Sequence, residues 1–161
     1  MNENELAGLL ESLKRMGSDD LSVEVKESAM TLSRDVWETV SAFANTAGGI
    51  IVLGVSERAG FVPVANFETE KVLNQFVAGM GDAGGRGKLA NPPKYTIERV
   101  ELQGTVVLVI TIEELDPSSK PCYVIERGAQ GGSYKRIDDK DVPLSSTEVL
   151  ALSSYERTSP S

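Results

Sequence analysis

The sequence contains no histidine and only one cysteine, Cys122. Histidine is the commonest general base and a frequent metal ligand, so its absence excludes Ser-His and Cys-His nucleophile pairs. A single cysteine cannot build a framework of intrachain disulfides. Without a histidine to activate the thiol, we expect Cys122 to be a buried or half-buried strand residue. We therefore expect neither a cofactor nor a bound metal.

Long hydrophobic runs are missing as well. No apolar stretch approaches the roughly 18 residues that a membrane span needs, and the first 20 residues are too polar and acidic for a signal peptide. We therefore expect a cytoplasmic protein that does not contact membranes. The 161 residues, 40% of them hydrophobic and 25% charged, suit one globular domain. We assign that domain to residues 1–153 and interpret the polar residues 154–161 as a tail or linker.

The chain has fewer basic than acidic residues. The chain has 16 lysines and arginines against 24 aspartates and glutamates, which gives a net charge of −8. Phosphate contacts supply most of the non-specific affinity for nucleic acids, so this balance opposes such binding, although a local basic face can act inside an acidic protein. Arg86, Lys88 and Lys94 cluster in the glycine-rich residues 79–94, where we expect a mobile surface loop without a core side chain to anchor it.

The hydrophobic pattern predicts that residues 36–55 form the central unit of the fold. Helical spacing through 36–45 is followed by a nearly continuous apolar run at 50–55, which predicts an amphipathic helix leading into a strand buried on both faces. The same patterns predict a helix at 2–16 and strands at 21–26, 95–101 and 105–112. Helices and strands bury complementary apolar faces, so we expect an α+β fold with helices packed on a mixed, twisted sheet.

Between the predicted helix and strand lies a short segment that contains Asn45, Thr46, Gly48 and Gly49. Paired glycines can indicate a phosphate-binding loop, but such loops precede a helix, whereas these glycines follow one. The carboxyl end of a helix carries partial negative charge and is unsuited to an anion. We therefore interpret the segment as a helix-to-strand corner in which Asn45 bonds the turn.

This corner also carries a resemblance to a known family. The string SAFANTAGG followed by IIVLGV resembles the Schlafen-type, AlbA-like DNA-binding domain. SVEVKE at 22–27 resembles the strand before its central helix, and KPCY at 120–123 with GSYKR at 132–136 resembles its late strands. The similarity spans about residues 6–152. It implies a nucleic-acid-binding module of the type found at the N-terminus of prokaryotic transcriptional regulators and divergent AAA-type ATPases.

The resemblance implies that the domain binds DNA or RNA without catalysis, and we expect that binding to be weak and salt-sensitive. Arginine and lysine contact phosphates, and tyrosine can stack on unpaired bases. Arg136 matches the arginine of the family's YxR motif. Alternatively, these side chains form a solvated surface in which Arg136 pairs with Asp138 or Asp139. The candidate nucleic-acid-binding residues are Arg86, Lys88, Lys94, Tyr134, Lys135 and Arg136.

Two other functions stay open. Some animal Schlafen proteins cleave RNA with three carboxylates, and the resemblance would assign two of these to Asp19 and Glu24, with Glu57 one residue after the third position. The family's third position falls on Ser56, which is not a carboxylate, so we expect no nuclease activity. The alternative for the acidic residues is a solvated edge in which Glu24 pairs with Lys26. The third hypothesis is a protein-interaction domain or homodimer whose acidic charge keeps it off nucleic acid.

Overall fold

The computed structural model describes residues 1–16 and 22–154 of the chain. Within these residues it forms an α+β fold, as the hydrophobic pattern predicts. No helix in the described ranges is both long and apolar enough to cross a membrane. The helices are α1 (Glu3–Met16), α2 (Val36–Asn45), α3 (Thr69–Gly79), α4 (Ala129–Gly132) and α5 (Ser146–Ser153). The strands are β1 (Val23–Lys26), β2 (Gly49–Leu53), β3 (Val55–Ser56), β4 (Val62–Pro63), β5 (Leu89–Ala90), β6 (Tyr95–Leu102), β7 (Thr105–Ile112), β8 (Tyr123–Val124), β9 (Tyr134–Ile137) and β10 (Lys140–Pro143).

Four of the strands form the central sheet, in the order β1-β2-β7-β6. β1 runs parallel to β2, and β7 is antiparallel to both β2 and β6. The parallel pair is connected through α2, because parallel neighbours need a crossover. β6 and β7 are joined by a tight turn at Gln103 and Gly104, whose φ values of 51° and 83° suit a hairpin. The remaining strands form short antiparallel pairs, β3 with β4, β5 with β8 and β9 with β10.

Helices cover both faces of the central sheet. Because successive strand residues point to opposite faces, Ile51 and Ile110 pack with α2 and α3, whereas Val52 and Val109 pack with α1. β2 and β7 are therefore buried on both sides, which confirms the prediction made for the apolar run at 50–55. The face under α1 is closed by the buried leucines of that helix, Leu6, Leu10 and Leu13.

The corner between α2 and β2 depends on close approach of backbone segments. Gly48 has a φ of 71°, and its N–H donates to the carbonyl of Phe43 at 2.7 Å. A Cβ on Gly48 would lie 2.7 Å from the carbonyl oxygen of Ile112, and one on Gly49 would lie 2.8 Å from the ring of Phe43. The predicted helix-to-strand corner is confirmed. At both of its glycines a side chain would collide with neighbouring atoms, so the corner depends on the absence of a Cβ.

Asn45 ends α2, but it does not act within its own turn as predicted. Its Nδ2 donates to the carbonyl oxygens of Cys122 and Tyr134, each at 2.9 Å, and its Oδ1 accepts from the N–H of Cys122 at 2.8 Å. The hydroxyl of Thr46 accepts the N–H of Arg136 at 2.9 Å. Asn45 and Thr46 therefore attach β9 and the segment before β8 to the end of the central helix. Cys122 is buried, as predicted, and burial raises its pKa to about 12.

Candidate nucleic-acid interface

The polar residues of β1 lie on the side of the sheet that α2 covers, and there they meet an arginine from β9. The side chain of Arg136 is 1% exposed. Its Nη2 donates to Oε2 of Glu24 at 2.9 Å, and its Nη1 donates to Oδ1 of Asp141 at 2.8 Å. Burial lowers the pKa of Arg136, but hydrogen bonds to Asp141 and Glu24 outweigh burial and raise it. The guanidinium therefore stays charged inside the fold.

The ion-pair network extends from Arg136 to the start of α2. Nζ of Lys26 lies 3.3 Å from Oε1 of Glu24 and 3.1 Å from Oδ1 of Asp35, the residue before the helix. The hydroxyl of Thr39 donates to the second oxygen of Asp141 at 2.6 Å. The expected pairing of Glu24 with Lys26 is confirmed, but the Lys26 side chain is only 8% exposed, so the pair is not a solvated edge.

Two residues of β9 that the sequence placed on a binding surface are buried. Arg136 pairs with carboxylates on other strands rather than with Asp138 or Asp139, which corrects that interpretation. Tyr134 is 6% exposed, and its hydroxyl accepts a hydrogen bond from Arg127. Neither side chain reaches a base or a phosphate while it stays in the core. Both residues therefore hold the fold together, and neither belongs to the accessible surface.

Lys94 and Lys135 are accessible, but they lie apart from Arg86 and Lys88. Nζ of Lys135 donates to Oε2 of Glu148 at 2.8 Å, so its charge is already paired. Lys94 is exposed and lines a cleft of its own, together with two carboxylates. Neither lysine lines the larger cleft that contains the other loop cations. The six candidates therefore do not form one surface.

Among the described residues, the carboxylates of the nuclease hypothesis do not form a group that could hold a metal ion. Both oxygens of Glu24 are bonded to buried cations. Glu57 is exposed, and desolvation together with repulsion from Glu24 and Asp139 raises its pKa. Asp19 lies outside the described residues. Across 1–16 and 22–154, no three or more acidic or cysteine side chains are grouped so that they could hold a metal ion.

Arg86 and Lys88 line a cleft of about 880 Å³ beside the start of α2. Arg34, two residues before α2, and Arg127, shortly after β8, line the same cleft. We call this space, defined by its four cations, the basic cleft. Arg34 is not among the candidates selected from the sequence. Its position just before the central helix could have indicated it, because the positive end of the helix dipole adds to its charge. The other lining residues are Trp37, Glu38, Gly87, Val124, Ile125 and Glu126.

Backbone contacts and buried side chains fix the segment that carries Arg86 and Lys88. The N–H of Lys88 donates to the carbonyl of Gly79 at 2.6 Å, and its own carbonyl accepts from the N–H of Ile125 at 3.0 Å. Leu89 and Met80 are each 5% exposed and belong to the core. The expectation that residues 79–94 lack a core anchor is therefore wrong. These contacts place Arg86 and Lys88 in the same cleft as Arg127.

The cations of the basic cleft differ in how far carboxylates neutralise them. Arg34, Arg86 and Lys88 are exposed, and no ion pair reaches them within the part of the chain that the structure describes. Arg127 lies 3.3 Å from Glu38 and donates to a buried tyrosine hydroxyl. The cleft thus has an excess of positive charge, with four cations against Glu38 and Glu126, in a chain with a net charge of −8. Such a site attracts anions, and phosphates match its donors well.

The fold and the basic cleft together define an α+β domain with a site suited to phosphates. The sequence model of the family described as Schlafen, AlbA_2 matches residues 19–145. The chain therefore belongs to the Schlafen AlbA_2 family, whose domains are related to nucleic acids. The resemblance read from the corner motif is confirmed.

Solved structures share this fold. The N-terminal domain of an ATP-dependent DNA helicase RecG-related protein from Nitrosomonas europaea is 28% identical, with a TM-score of 0.60, over 83% of this chain and 89% of that domain. The DIP2311 protein from Corynebacterium diphtheriae is 15% identical, with a TM-score of 0.52, over 94% of this chain and 28% of that one. The second likeness shows the fold alone. No curated protein sequence matches the chain.

Proposed function

We propose that this chain is a non-catalytic nucleic-acid-binding module of a transcriptional regulator and that phosphates of DNA or RNA contact its basic cleft. The carrying observation is that Arg34, Arg86 and Lys88 converge in one cleft without ion-pair partners among the described residues. Guanidinium and ammonium groups are the side chains that phosphates bind most strongly. Membership of a family related to nucleic acids supports a polynucleotide as the source of those phosphates.

The distribution of charge sets the expected strength of binding. The net charge of −8 repels a polyanion at long range, but salt near 0.15 M screens charges beyond roughly 8 Å. Each neutralised phosphate steepens the fall of log K with log salt by about 0.9 on duplex DNA. The three cleft cations without ion-pair partners among the described residues, Arg34, Arg86 and Lys88, therefore predict a slope of about −2.7 on duplex DNA. We expect weak binding that is lost at moderate salt.

Fluorescence anisotropy with labelled DNA and RNA oligonucleotides, at about 50 mM and about 200 mM salt, tests the proposal. The parent should bind at the lower salt. A variant in which Arg34, Arg86 and Lys88 are all changed to alanine should lose about tenfold or more in affinity, and its salt slope should shrink by about 2.7. Absence of binding by the parent at low salt would overturn the proposal.

A control variant of equal net charge separates the cleft from charge in general. It carries alanine in place of three exposed cations that lie outside the basic cleft, Arg58, Lys94 and Lys140. Long-range electrostatics change equally in both triple variants, whereas phosphate contacts change only in the first. We expect the control to bind like the parent within about twofold. Equal losses in the two variants would contradict a specific role for the cleft.

The non-catalytic part of the proposal depends on Glu24. Its oxygens are bonded to Lys26 and Arg136, so a metal ion would have to replace two buried ion pairs. We expect no cleavage when structured or single-stranded RNA is incubated with the chain and Mn²⁺. Glu57 is the informative position, because it is exposed and its replacement leaves the buried network intact. Cleavage that disappears in Glu57→Gln would establish the ribonuclease instead.

We further propose a homodimer as the tighter-binding form. Two basic clefts on one polynucleotide convert the second contact into an intramolecular event, which raises affinity without new contacts. Sedimentation velocity of the chain, alone and with a long oligonucleotide, measures the assembly directly. A strictly monomeric chain in both experiments, with a single chain per oligonucleotide, would remove the dimer from the proposal.

A further inference from the structure

A smaller space of about 390 Å³ next to α3 shares part of its lining with the basic cleft. Arg34, Trp37, Arg86 and Lys88 line both spaces, so the exposed cations lie at the junction between them. We call the smaller space the side lobe. Its other lining residues are Leu32, Gln75, Ala78 and Gly79.

Contacts within the fold hold the walls of the side lobe in place. Oε1 of Gln75 accepts from the N–H of Leu32 at 2.7 Å, and its Nε2 donates to the hydroxyl of Thr31 at 3.0 Å. The indole of Trp37 stacks on Phe76 with ring centroids 5.4 Å apart and an interplanar angle of 23°. The side lobe is therefore formed before any ligand arrives, so binding does not have to order its walls.

The side lobe and the basic cleft suit different parts of one ligand. The lobe presents Leu32, Trp37 and Ala78, and the charged groups among its described lining residues are only the cations that it shares with the basic cleft. A ligand that fills both spaces carries an anion directly beside a flat, largely apolar group. A nucleotide has this composition, because its base lies next to its phosphate. In a duplex the base is stacked and paired, so only an unpaired nucleotide can place its base in the lobe.

We propose that the side lobe binds the base of an unpaired nucleotide whose phosphates contact Arg34, Arg86 and Lys88, so that the domain prefers single strands to duplexes. This inference rests on the proposed function and specifies the kind of strand. Contact with a base through apolar and aromatic groups is tolerant of its identity. Gln75 already uses its oxygen and one N–H inside the fold. Little preference among the four bases follows.

The first test leaves the protein unchanged. Anisotropy measurements compare three DNA ligands with the same number of phosphates: a single strand, a duplex, and the single strand with abasic residues. We expect the intact single strand to bind about fivefold or more tightly than either of the others, because only it can place a base in the side lobe. Equal affinity for all three ligands would overturn the lobe as a base site and leave the phosphate-binding cleft standing.

The second test fills the side lobe. Ala78→Phe adds a ring in the lobe without removing a cation, so the affinity for the single strand should fall to that of the abasic strand. Duplex affinity and salt slope should stay those of the parent. Asn74→Phe places the same ring on an exposed position of α3 outside the lobe and should behave like the parent.

The outcomes separate the inference from the proposed function. Single-strand preference that survives in Ala78→Phe would place the base elsewhere and overturn the side lobe. Absence of binding to every ligand would overturn the proposed function itself, and the inference with it. Thermal melting shows whether Ala78→Phe folds; if it does not, the abasic strand decides the matter on the parent alone.

Discussion

Nη2 of Arg136 lies 2.9 Å from Oε2 of Glu24, although 112 positions separate the two residues in the chain. The contact joins β9 to β1, which is an edge strand of the central sheet. Their side chains are 1% and 15% exposed, so both charges have been removed from water. The charge of Arg136 is compensated by Glu24 and Asp141, and that of Glu24 by Arg136 and Lys26. The pair therefore contributes to the stability of the fold. We expect its loss to lower the free energy of unfolding more than it lowers the affinity for nucleic acid.

Arg136→Ala should destabilise the chain by about 3–5 kcal/mol, because it leaves Glu24 and Asp141 as buried charges without their main partner. Urea unfolding followed by tryptophan fluorescence measures the change. Arg58→Ala is the matched control: that arginine is 88% exposed in its pair with Glu27, and its removal should change stability by less than about 0.5 kcal/mol. Equal unfolding midpoints for the two variants would contradict a structural role for Arg136.

Asn45→Ala should destabilise the chain by about 1–3 kcal/mol. The variant leaves the N–H of Cys122 and the carbonyl of Tyr134 without their side-chain partner, whereas the carbonyl of Cys122 keeps the hydroxyl of Ser41 as a donor. Asn74→Ala removes an exposed asparagine from α3 and should be close to neutral. Hydrogen exchange at the N–H of Cys122 gives a local readout. Unchanged protection of that amide in Asn45→Ala would show that the bridge does not hold the segment before β8.

Two helical glycines should respond to alanine with opposite signs. A Cβ on Gly79 would lie 2.0 Å from the ring of Trp37, so Gly79→Ala displaces the indole and should cost about 1–3 kcal/mol. A Cβ on Gly8 meets no described residue within 4 Å, and Gly8→Ala should stabilise α1 by about 0.5–1 kcal/mol. Trp37 is the only tryptophan, so its emission reports the displacement directly. Stabilisation by both substitutions would show that the ring is not packed against Gly79.

The elements that follow from local patterns were predictable from the sequence. The long apolar strands β6 and β7 and the turn at Gln103 and Gly104 lie where alternation and turn chemistry place them. The same holds for α5, which begins with a capping box between Ser145 and Glu148. In each case the residues that determine the element are close in sequence, so a short stretch of the chain is enough to predict it.

Long-range pairing was beyond such reasoning. Residues 138–142 include four charged side chains and show no alternating apolar pattern, yet β10 forms there because β9 pairs with it and Asp141 bonds to the buried Arg136. Arg34 and Arg127 are far apart in sequence and join Arg86 only through the crossover of α2 and the anchoring of the glycine-rich loop. A basic sequence motif can place cations on a loop, but it cannot show which of them a distant carboxylate already neutralises.

Glu148 provides a prediction on pH. The hydrogen bond from Lys135, followed by the backbone N–H of Ser145, lowers the pKa of Glu148 from an ordinary value of 4.5 to about 2. A lowered pKa contributes stability that is fully present above 4.5 and is lost as the pH falls toward 2. In Lys135→Met, the pKa of Glu148 should rise toward 4.5 and the loss of stability in that window should be smaller. NMR titration of the carboxyl measures it; an unchanged pKa would contradict the Lys135 contact.

The partial neutralisation of Arg127 predicts a variant that binds more tightly than the parent. Glu38 lines the basic cleft and lies 3.3 Å from Arg127, so it competes with a phosphate for that guanidinium. Glu38→Gln removes the competing charge. We expect affinity for a single-stranded oligonucleotide to rise about twofold to fivefold, a modest gain because the pair is partly solvated. The salt slope should steepen by about 0.7, the contribution of one more phosphate contact on a single strand.

The control for this variant is Glu101→Gln. Glu101 is exposed on β6 and does not line the basic cleft, so its replacement changes the net charge equally without freeing Arg127. If binding depends on the cleft, Glu38→Gln gains affinity and slope, whereas Glu101→Gln gains neither beyond a small long-range effect. Identical gains would assign the effect to net charge. A loss of affinity in Glu38→Gln would show that Glu38 holds Arg127 in a conformation that the ligand requires.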